Sequence, residues 1–211
     1  MTTRALTELL GAARGPLGPP VRADFGSEQG PWGELRWMLA WCNGFFLANA
    51  GLQVFRAGPG GLGPELAEWN TAETWKGTYG EQAGGMFCFA QDLFGVQFAI
   101  TGDGVIAFEP ETAGRTLLGD SLDAWARWLL EDPDVRTAGP LATEWQDRHG
   151  PLGHHERLLP VRAFVLGGEY APENLRVADA AEAMRVRGPS ARQLHRAADG
   201  AAVRFHIWRA R

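Results

Sequence analysis

The chain has 211 residues, a net charge of −5 and 45% hydrophobic residues. A chain of this length and hydrophobic content can bury a sizeable core without stabilisation by disulfides or metal ions. Its 28 glycines and 13 prolines indicate generous loops but fall short of low-complexity disorder. No stretch approaches the ~20 apolar residues of a membrane span, and residues 1–30 contain no secretory core, so the expected location is the cytoplasm, with no membrane partner.

The N-terminal region is predicted to form two helices. Thr3 can cap a short helix whose leucines form one stripe. The second helix is predicted to begin at Pro31, a favoured first helical position, and to end at an Asn-Gly pair. Because Trp37 and Trp41 widen its apolar face beyond a simple stripe, we expect this helix to be largely buried.

The next stretch is predicted to contain an early hairpin and a long loop. Residues 45–55 are typical of one or two strands, and residues 65–69 of a short helical piece. Residues 70–85 are polar, contain glycine and lack periodicity, which predicts a long surface loop.

The centre of the chain carries the clearest sheet signal. Side chains alternate between apolar and small or polar over residues 94–101, which predicts a half-buried strand. A turn at Asp103 is expected to join it to a second hairpin strand, and Ser121 can cap the amphipathic helix that follows.

The C-terminal part is predicted to add further elements to the same body. Residues 143–148 favour a helical turn, residues 161–165 a strand, and residues 178–184 and 190–197 two short helices. Alternation over residues 203–208 predicts a closing strand.

Two patterns in the sequence resemble ligand-binding motifs but do not meet the requirements of those motifs. Gly58, Gly60 and Gly63 match the spacing of a dinucleotide fingerprint, but neighbouring prolines stiffen the loop and the following helix is too short for a dinucleotide-type crossover. His154 and His155 lie near another histidine and a glutamate, but their spacing fits no known zinc motif. Neither a cofactor nor a metal site is therefore expected.

No arrangement for nucleophilic catalysis is evident, because no serine lies in a Gly-x-Ser-x-Gly elbow. Carboxylates do crowd the loops of the predicted sheet, and a glycosidase would need two of them across one cleft. Turn formation and surface charge explain these carboxylates more simply than a catalytic pair. The carboxylates are Asp92, Asp103, Glu109, Glu111 and Asp120.

The chain contains nine tryptophans, a high number for this length, which suggests a site for ring stacking or protein docking. Most of them lie on predicted helix stripes. Trp69 and Trp75 instead flank the polar loop without periodicity, so either they are exposed anchors for a protein partner or they pack within the loop.

Several segments together resemble the SUKH superfamily, which includes fungal regulators of cell-wall synthesis and many bacterial immunity proteins. Residues 37–47, WMLAWCNGFFL, match its helix that runs into an Asn-Gly turn, and residues 89–98, FAQDLFGVQF, match its Asp-x-Phe-Gly turn. Asn70 and the Ser-capped helix at residues 120–130 complete the pattern.

The resemblance implies an α+β fold with a mixed, mainly antiparallel sheet of about six strands flanked by helices. It spans a domain of residues 1–140, with residues 141–211 as an extension packed on the same body. It implies no catalysis, since bacterial members commonly bind and neutralise toxins, many of them nucleases. A carbohydrate-binding or carbohydrate-active protein and a regulatory scaffold of the fungal kind remain alternatives.

Charge agrees with binding to a basic protein rather than to nucleic acid. Residues 1–174 carry 12 basic and 22 acidic side chains, whereas residues 175–211 carry 8 and 3. An acidic body attracts a cationic partner, such as the basic domain of a toxin. The predicted partner-binding face consists of Trp69, Trp75, Asp92, Asp103, Glu109 and Glu111.

Overall fold

The computed structural model describes residues 3–196, which form an α+β fold around a six-stranded sheet. Neighbouring strands of this sheet follow the order of the chain, and every pair is antiparallel. The predicted fold class is therefore confirmed. The strands are β1 (Phe45–Leu47), β2 (Leu52–Val54), β3 (Phe87–Asp92), β4 (Gln97–Thr101), β5 (Gly104–Phe108) and β6 (Arg115–Gly119).

Helices cover both faces of the sheet, and a two-stranded sheet of β7 (Glu156–Pro160) and β8 (Leu175–Asp179) lies beside it. The helices of the described residues are α1 (Arg4–Gly11), α2 (Gly30–Trp41), α3 (Leu66–Trp69), α4 (Gly77–Tyr79), α5 (Leu122–Glu131), α6 (Pro133–Thr137), α7 (Gly139–His149) and α8 (Ala180–Arg196).

Aromatic side chains anchor the helices to the two faces. On one face, α5 inserts Trp125 against Phe89 and Phe98, with ring centroids 5.0 and 5.7 Å away. On the other face, Trp75 packs against Phe108 with ring centroids 6.1 Å apart. Ser121 caps α5 as predicted, because its hydroxyl accepts a hydrogen bond from the Ala124 N–H.

The expectation that β4 is half-buried is wrong, because both of its faces are covered. Phe98 and Gln97 point to opposite sides, and both are buried. Burial of a polar side chain requires a hydrogen-bonding partner. The Gln97 carbonyl accepts the indole N–H of Trp69 at 2.7 Å, and this contact satisfies it beneath the second helical layer.

The prediction of a surface loop at residues 70–85 is also wrong. A π-helical turn (Ala72–Lys76), α4 and a 3₁₀ turn (Gly80–Ala83) fill this stretch. Their helical character escapes sequence periodicity because each turn is short and differently wound. Trp75 and Tyr79 project from them into the core, where both are fully buried.

Helix α2 is less buried than its composition suggests. One stripe, which includes Leu35 and Met38, faces the core. Trp37 and Trp41 face outward instead, with 36% and 70% of their surface exposed and their ring centroids 6.2 Å apart. A helix presents only one side to a single neighbouring layer, so the expectation of a largely buried helix is wrong.

The C-terminal elements differ in position from their predictions. Strand β7 precedes the predicted strand at residues 161–165, where the chain forms a 3₁₀ turn (Phe164–Leu166). The two predicted short helices are one helix, α8, which continues through Pro189. The predicted closing strand at residues 203–208 lies outside the described residues.

Described residues after position 141, up to residue 196, pack on the main body. The Leu158 N–H donates to the Leu93 carbonyl at 2.9 Å, and both side chains belong to one buried cluster with Trp145. Helix α8 lies against α4, where a Cβ at Gly188 would clash with Thr78. Glycine therefore permits this close approach. Between residues 3 and 196, no helix has the length and apolarity required to cross a membrane.

A row of glutamines crosses the second face of the sheet. Gln53, Gln91 and Gln97 occupy paired positions on β2, β3 and β4. The Gln91 amide donates to the Gln53 carbonyl at 3.0 Å, and the buried guanidinium of Arg157 on β7 donates to the same oxygen. Burial lowers the pKa of Arg157 to about 9, although the charge of Asp92 opposes this shift. The glutamine row thus holds the buried cation Arg157 near the end of the sheet that carries Asp92.

Candidate functional site

Asp92 organises the turn between β3 and β4. Its Oδ1 accepts hydrogen bonds from the N–H groups of Phe94 and Val96, at 2.9 and 2.8 Å. Gly95 completes the turn at φ +85°, a conformation that favours glycine. The turn therefore fixes one carboxylate oxygen of Asp92 and leaves the other at the sheet edge.

Glu109 lies at the same end of the sheet, because Phe108, the residue before it, pairs with Gln97 at the start of β4. Its Oε1 accepts the N–H of Glu111 at 3.2 Å. The Glu111 carboxylate in turn accepts the N–H groups of Phe164 and Val165, at 3.1 and 2.8 Å. The β5–β6 connection thus presents one acid next to Asp92 and uses the second to hold a loop.

That loop, residues 161–170, provides an aromatic wall. Phe164 and Tyr170 stack with ring centroids 4.0 Å apart and an interplanar angle of 8°. Phe94 packs edge-on against them, with centroid distances of 5.1 and 5.5 Å. Tyr170 remains 67% exposed, so the wall has a free aromatic face.

Arg187 reaches the same place from α8. Its Nη1 donates to the Phe94 carbonyl at 2.7 Å, and its Nε donates to the Ala183 carbonyl at 3.0 Å. The side chain is buried, yet among residues 3–196 no carboxylate lies within 4.0 Å of its guanidinium. Arg187 therefore contributes positive charge without forming an ion pair.

Together these elements enclose a cavity of about 520 Å³, which we call the acidic cavity. This volume lies in the range of ligand-binding sites. Asp134 and the exposed Val135 of α6, with Leu141 of α7, also line it. The acidic cavity is lined by Asp92, Phe94, Val96, Glu109, Asp134, Val135, Ala138, Pro140, Leu141, Phe164, Tyr170 and Arg187.

Asp92 and Glu109 hold their protons more tightly than carboxyl groups in water, because both pKa values are raised. Burial raises the pKa of Asp92 to about 7, and the charge of Glu109 adds to the rise, whereas backbone hydrogen bonds and Arg187 oppose it. Burial also raises the pKa of Glu109; the hydrogen bond from the Glu111 N–H and the charge of Arg187 oppose this rise, and the charge of Glu111 adds a smaller increase. The pKa of Tyr170 is raised by burial and by the three neighbouring acids. Groups with such shifts mark candidate functional sites.

The structure brings together some of the predicted acids and separates another. Asp92 and Glu109 line the acidic cavity, and Glu111 supports its wall. Asp103 lies at the opposite end of the sheet, on the exposed β4–β5 turn. Strand β4 separates the two turns by about 14–17 Å at ~3.4 Å per residue. Asp103 therefore cannot share a binding pocket with Asp92.

Trp69 and Trp75 are core residues, so the prediction that they are exposed anchors is wrong. Their rings lie 6.1 Å apart, and 3% and 0% of their surfaces are accessible. The alternative interpretation, packing inside the segment, describes both. Tyr170 on the 161–170 loop provides the exposed aromatic group that the sequence interpretation placed at these tryptophans.

Two of the clustered histidines pack against aromatic rings. His149 stacks on Trp145 at 4.4 Å, and His154 packs near Phe46 at 5.7 Å. Within the part of the chain that the structure describes, no group of three His, Cys, Asp or Glu side chains is arranged to hold a metal ion.

Sequence reasoning missed Arg187 and Tyr170. A signal for Arg187 exists, because Ala180, Ala183, Met184, Arg187 and Ala191 lie on one buried stripe of α8. A cation at an apolar position of an amphipathic helix indicates a buried polar contact. Tyr170 carries no comparable signal, since its position depends on how the loop is held.

Comparisons with known proteins leave the family open. No protein-family model matches the chain, and no curated protein matches it. The crystal structure of Atu4351 from Agrobacterium tumefaciens is similar with a TM-score of 0.48 and 16% identity, covering 76% of each chain. Similarity at this level carries no information about what this chain binds or does.

Proposed function

We propose that this protein is a non-catalytic protein-binding protein, most simply an immunity protein that neutralises a basic toxin domain of a bacterial polymorphic system. The observation that carries the proposal is the acidic cavity with its exposed apolar rim. Protein interfaces concentrate binding energy where aromatic side chains surround a pocket. Tyr170 and Val135, 67% and 74% exposed, provide such a rim next to Asp92 and Glu109.

The charge distribution and the sequence resemblance add support. Residues 1–174 carry ten more acidic than basic side chains, and complementary charge steers a basic partner and strengthens its binding. The resemblance to the SUKH superfamily suggests the same class of activity.

A pull-down from the native host tests this function. The tagged protein at about 0.15 M salt should retain a stoichiometric basic protein, and high salt should weaken the complex. Tyr170→Ala should release the partner, whereas Trp41→Ala, which removes an exposed aromatic residue elsewhere, should retain it. The recovered partner should then lose its toxic activity when the wild-type protein is added. If no partner is recovered with the wild type or with Trp41→Ala, the proposal is contradicted.

Carbohydrate binding remains a second candidate because of one feature of the site. Asp92 and Glu109 share a cavity whose wall is the stacked pair Phe164 and Tyr170. Paired carboxyls and a flat aromatic face are features of sugar-binding sites. Calorimetry with cell-wall oligosaccharides distinguishes the two functions: saturable binding lost in Tyr170→Ala would favour the sugar, and its absence would favour the protein partner.

A further inference from the structure

We infer that the acidic cavity receives an arginine side chain of the protein partner, with Asp92 and Glu109 holding its guanidinium and the aromatic wall stacking on it. This inference rests on the proposed function and specifies the chemistry of the contact. It follows from three features of the cavity: its unpaired acids, the occupied donors of Arg187 and the shape of its walls.

The first feature is an excess of negative charge. Three acids, Asp92, Glu109 and Asp134, and one cation, Arg187, line the cavity. A second cation, Arg157, faces Asp92 from β7 but donates its hydrogen bonds to the Gln53 and Glu156 carbonyls. Among residues 3–196, no basic side chain lies within 4.0 Å of the Asp92 or Glu109 carboxylate. Partly buried carboxylates without a partner are costly, and a bound cation would offset that cost.

The second feature is that the protein's own cation is held away from these acids. Arg187 donates to the Phe94 and Ala183 carbonyls, and its Nη2 lies 3.6 Å from the Met184 sulfur. Its orientation on α8 is therefore fixed by backbone carbonyls rather than by the acids. Glu111 is likewise occupied, since it accepts two N–H groups of the 161–170 loop. Asp92 and Glu109 each use one carboxylate oxygen for backbone hydrogen bonds, and the second oxygen of each is left for a ligand, with the exposed Asp134 beside them.

The third feature selects arginine over lysine. Tyr170 is 67% exposed, is stacked on Phe164 and lines the same cavity as the two carboxylates, so it offers a flat aromatic surface there. A planar guanidinium stacks on aromatic rings and donates to two acceptors at once, whereas an ammonium group is a compact and strongly hydrated point charge. Val135 and Leu141 can pack along the aliphatic stem of the arginine.

The inference predicts pH dependence, since Asp92 must be ionised to bind a cation. Several charged or titratable groups face Asp92: Glu109 and Glu111 of the β5–β6 connection, Asp134 of α6, Arg157 of β7, Tyr170 of the loop and Arg187 of α8. With a pKa of about 7 for Asp92, affinity should rise about tenfold between pH 6 and pH 8, with proton release on binding at pH 6.

The test uses small probes and the full-length protein, so it does not depend on finding the partner. Nα-acetyl-arginine N-methylamide is titrated by NMR or calorimetry at pH 6 and pH 8, with the citrulline counterpart as its neutral isostere. The arginine probe should bind at pH 8 at least tenfold more tightly than the citrulline probe. Equal binding of the two probes, or no binding of the arginine probe at about 10 mM, would overturn the inference.

Matched variants locate the binding. Asp92→Asn and Glu109→Gln retain an oxygen for the local backbone hydrogen bonds but lose the charge, and each should weaken the arginine probe at least tenfold. Asp103→Asn makes the same change at the other end of the sheet and should bind like the wild type. Probe affinity unchanged in both cavity variants contradicts the inference, and circular dichroism verifies that each variant is folded.

The probe titration and the pull-down fail independently. If the arginine probe binds as described but no protein partner is recovered, the cavity is an arginine site and the immunity function is wrong. If a partner is recovered but the arginine probe does not bind, the function stands and the partner engages the cavity by other contacts.

Discussion

The two ends of the central sheet carry similar turn acids with different environments. Asp103 lies on the exposed β4–β5 turn. Asp92 occupies the β3–β4 turn, where burial raises its pKa to about 7. The difference comes from what covers each turn: α6, α7, the 161–170 loop and α8 enclose the Asp92 end. Segments remote in sequence thus place an ordinary turn residue in the lining of the acidic cavity.

The largest expected effect on stability comes from removing the core packing beneath α8, one of the elements around Asp92. Trp75 is fully buried beneath α8, which carries Arg187, and its ring lies 5.4 Å from that of Tyr79. Trp75→Ala should reduce the free energy of unfolding by about 3–5 kcal/mol because it leaves a large cavity. Urea denaturation measures the loss. The matched change Trp41→Ala, on the exposed face of α2, should stay within about 0.5 kcal/mol. A loss below about 1 kcal/mol for Trp75→Ala would contradict its role in the core.

The hydrogen bonds between Glu111 and the 161–170 loop can also be removed. Glu111 is buried and accepts the N–H groups of Phe164 and Val165. Glu111→Ala leaves both donors without this acceptor and should reduce the free energy of unfolding by about 2–4 kcal/mol. The exposed Glu81→Ala is the control and should change it by less than about 0.5 kcal/mol. Hydrogen exchange provides the local measurement: the amides of Phe164 and Val165 should lose protection in Glu111→Ala. Unchanged protection would show that the loop is held by its aromatic stack instead.

The sequence predicts the central sheet well because its signal is local. Alternation and turn residues specify β4 and β5, and Ser121 specifies the start of α5, in each case within a few residues of chain. The short turns between residues 72 and 83 lack this local signal, so Trp75 could be assigned to the core only after its neighbours were in place.

The candidate site was predictable only in part for the same reason. Asp92 and Glu109 are brought together by the register of adjacent strands, which the predicted hairpin order already implies. Arg187 and Tyr170 arrive from segments 78 to 95 residues further along the chain than Asp92. No periodic pattern encodes such a meeting, which depends on Glu111 binding the 161–170 loop and on α8 packing against α4 and the π-helical turn before it.

The smallest expected effect on stability is a gain. The pKa of Asp92 in the folded protein, about 7, lies above the value of about 3.9 expected for the unfolded chain. The folded state therefore binds this proton more tightly, and the corresponding stability is present below about pH 4 and lost as pH rises through 7. Asp92→Asn retains an oxygen for the Phe94 and Val96 N–H groups but carries no charge. At pH 8 it should be more stable than the wild type by about 1–2 kcal/mol.

Thermal unfolding between pH 5 and pH 8 checks this gain and sharpens the contrast between the two ends of the sheet. The advantage of Asp92→Asn over the wild type should grow as pH rises, whereas Asp103→Asn should follow the wild-type curve at every pH. A cavity that binds a cation has to keep an acid in a place where its charge is unfavourable without the ligand, so function there opposes stability. If Asp92→Asn is instead less stable than the wild type at pH 8, the Asp92 charge stabilises the fold, and the acid would be a structural element of the turn rather than one held in readiness for a ligand.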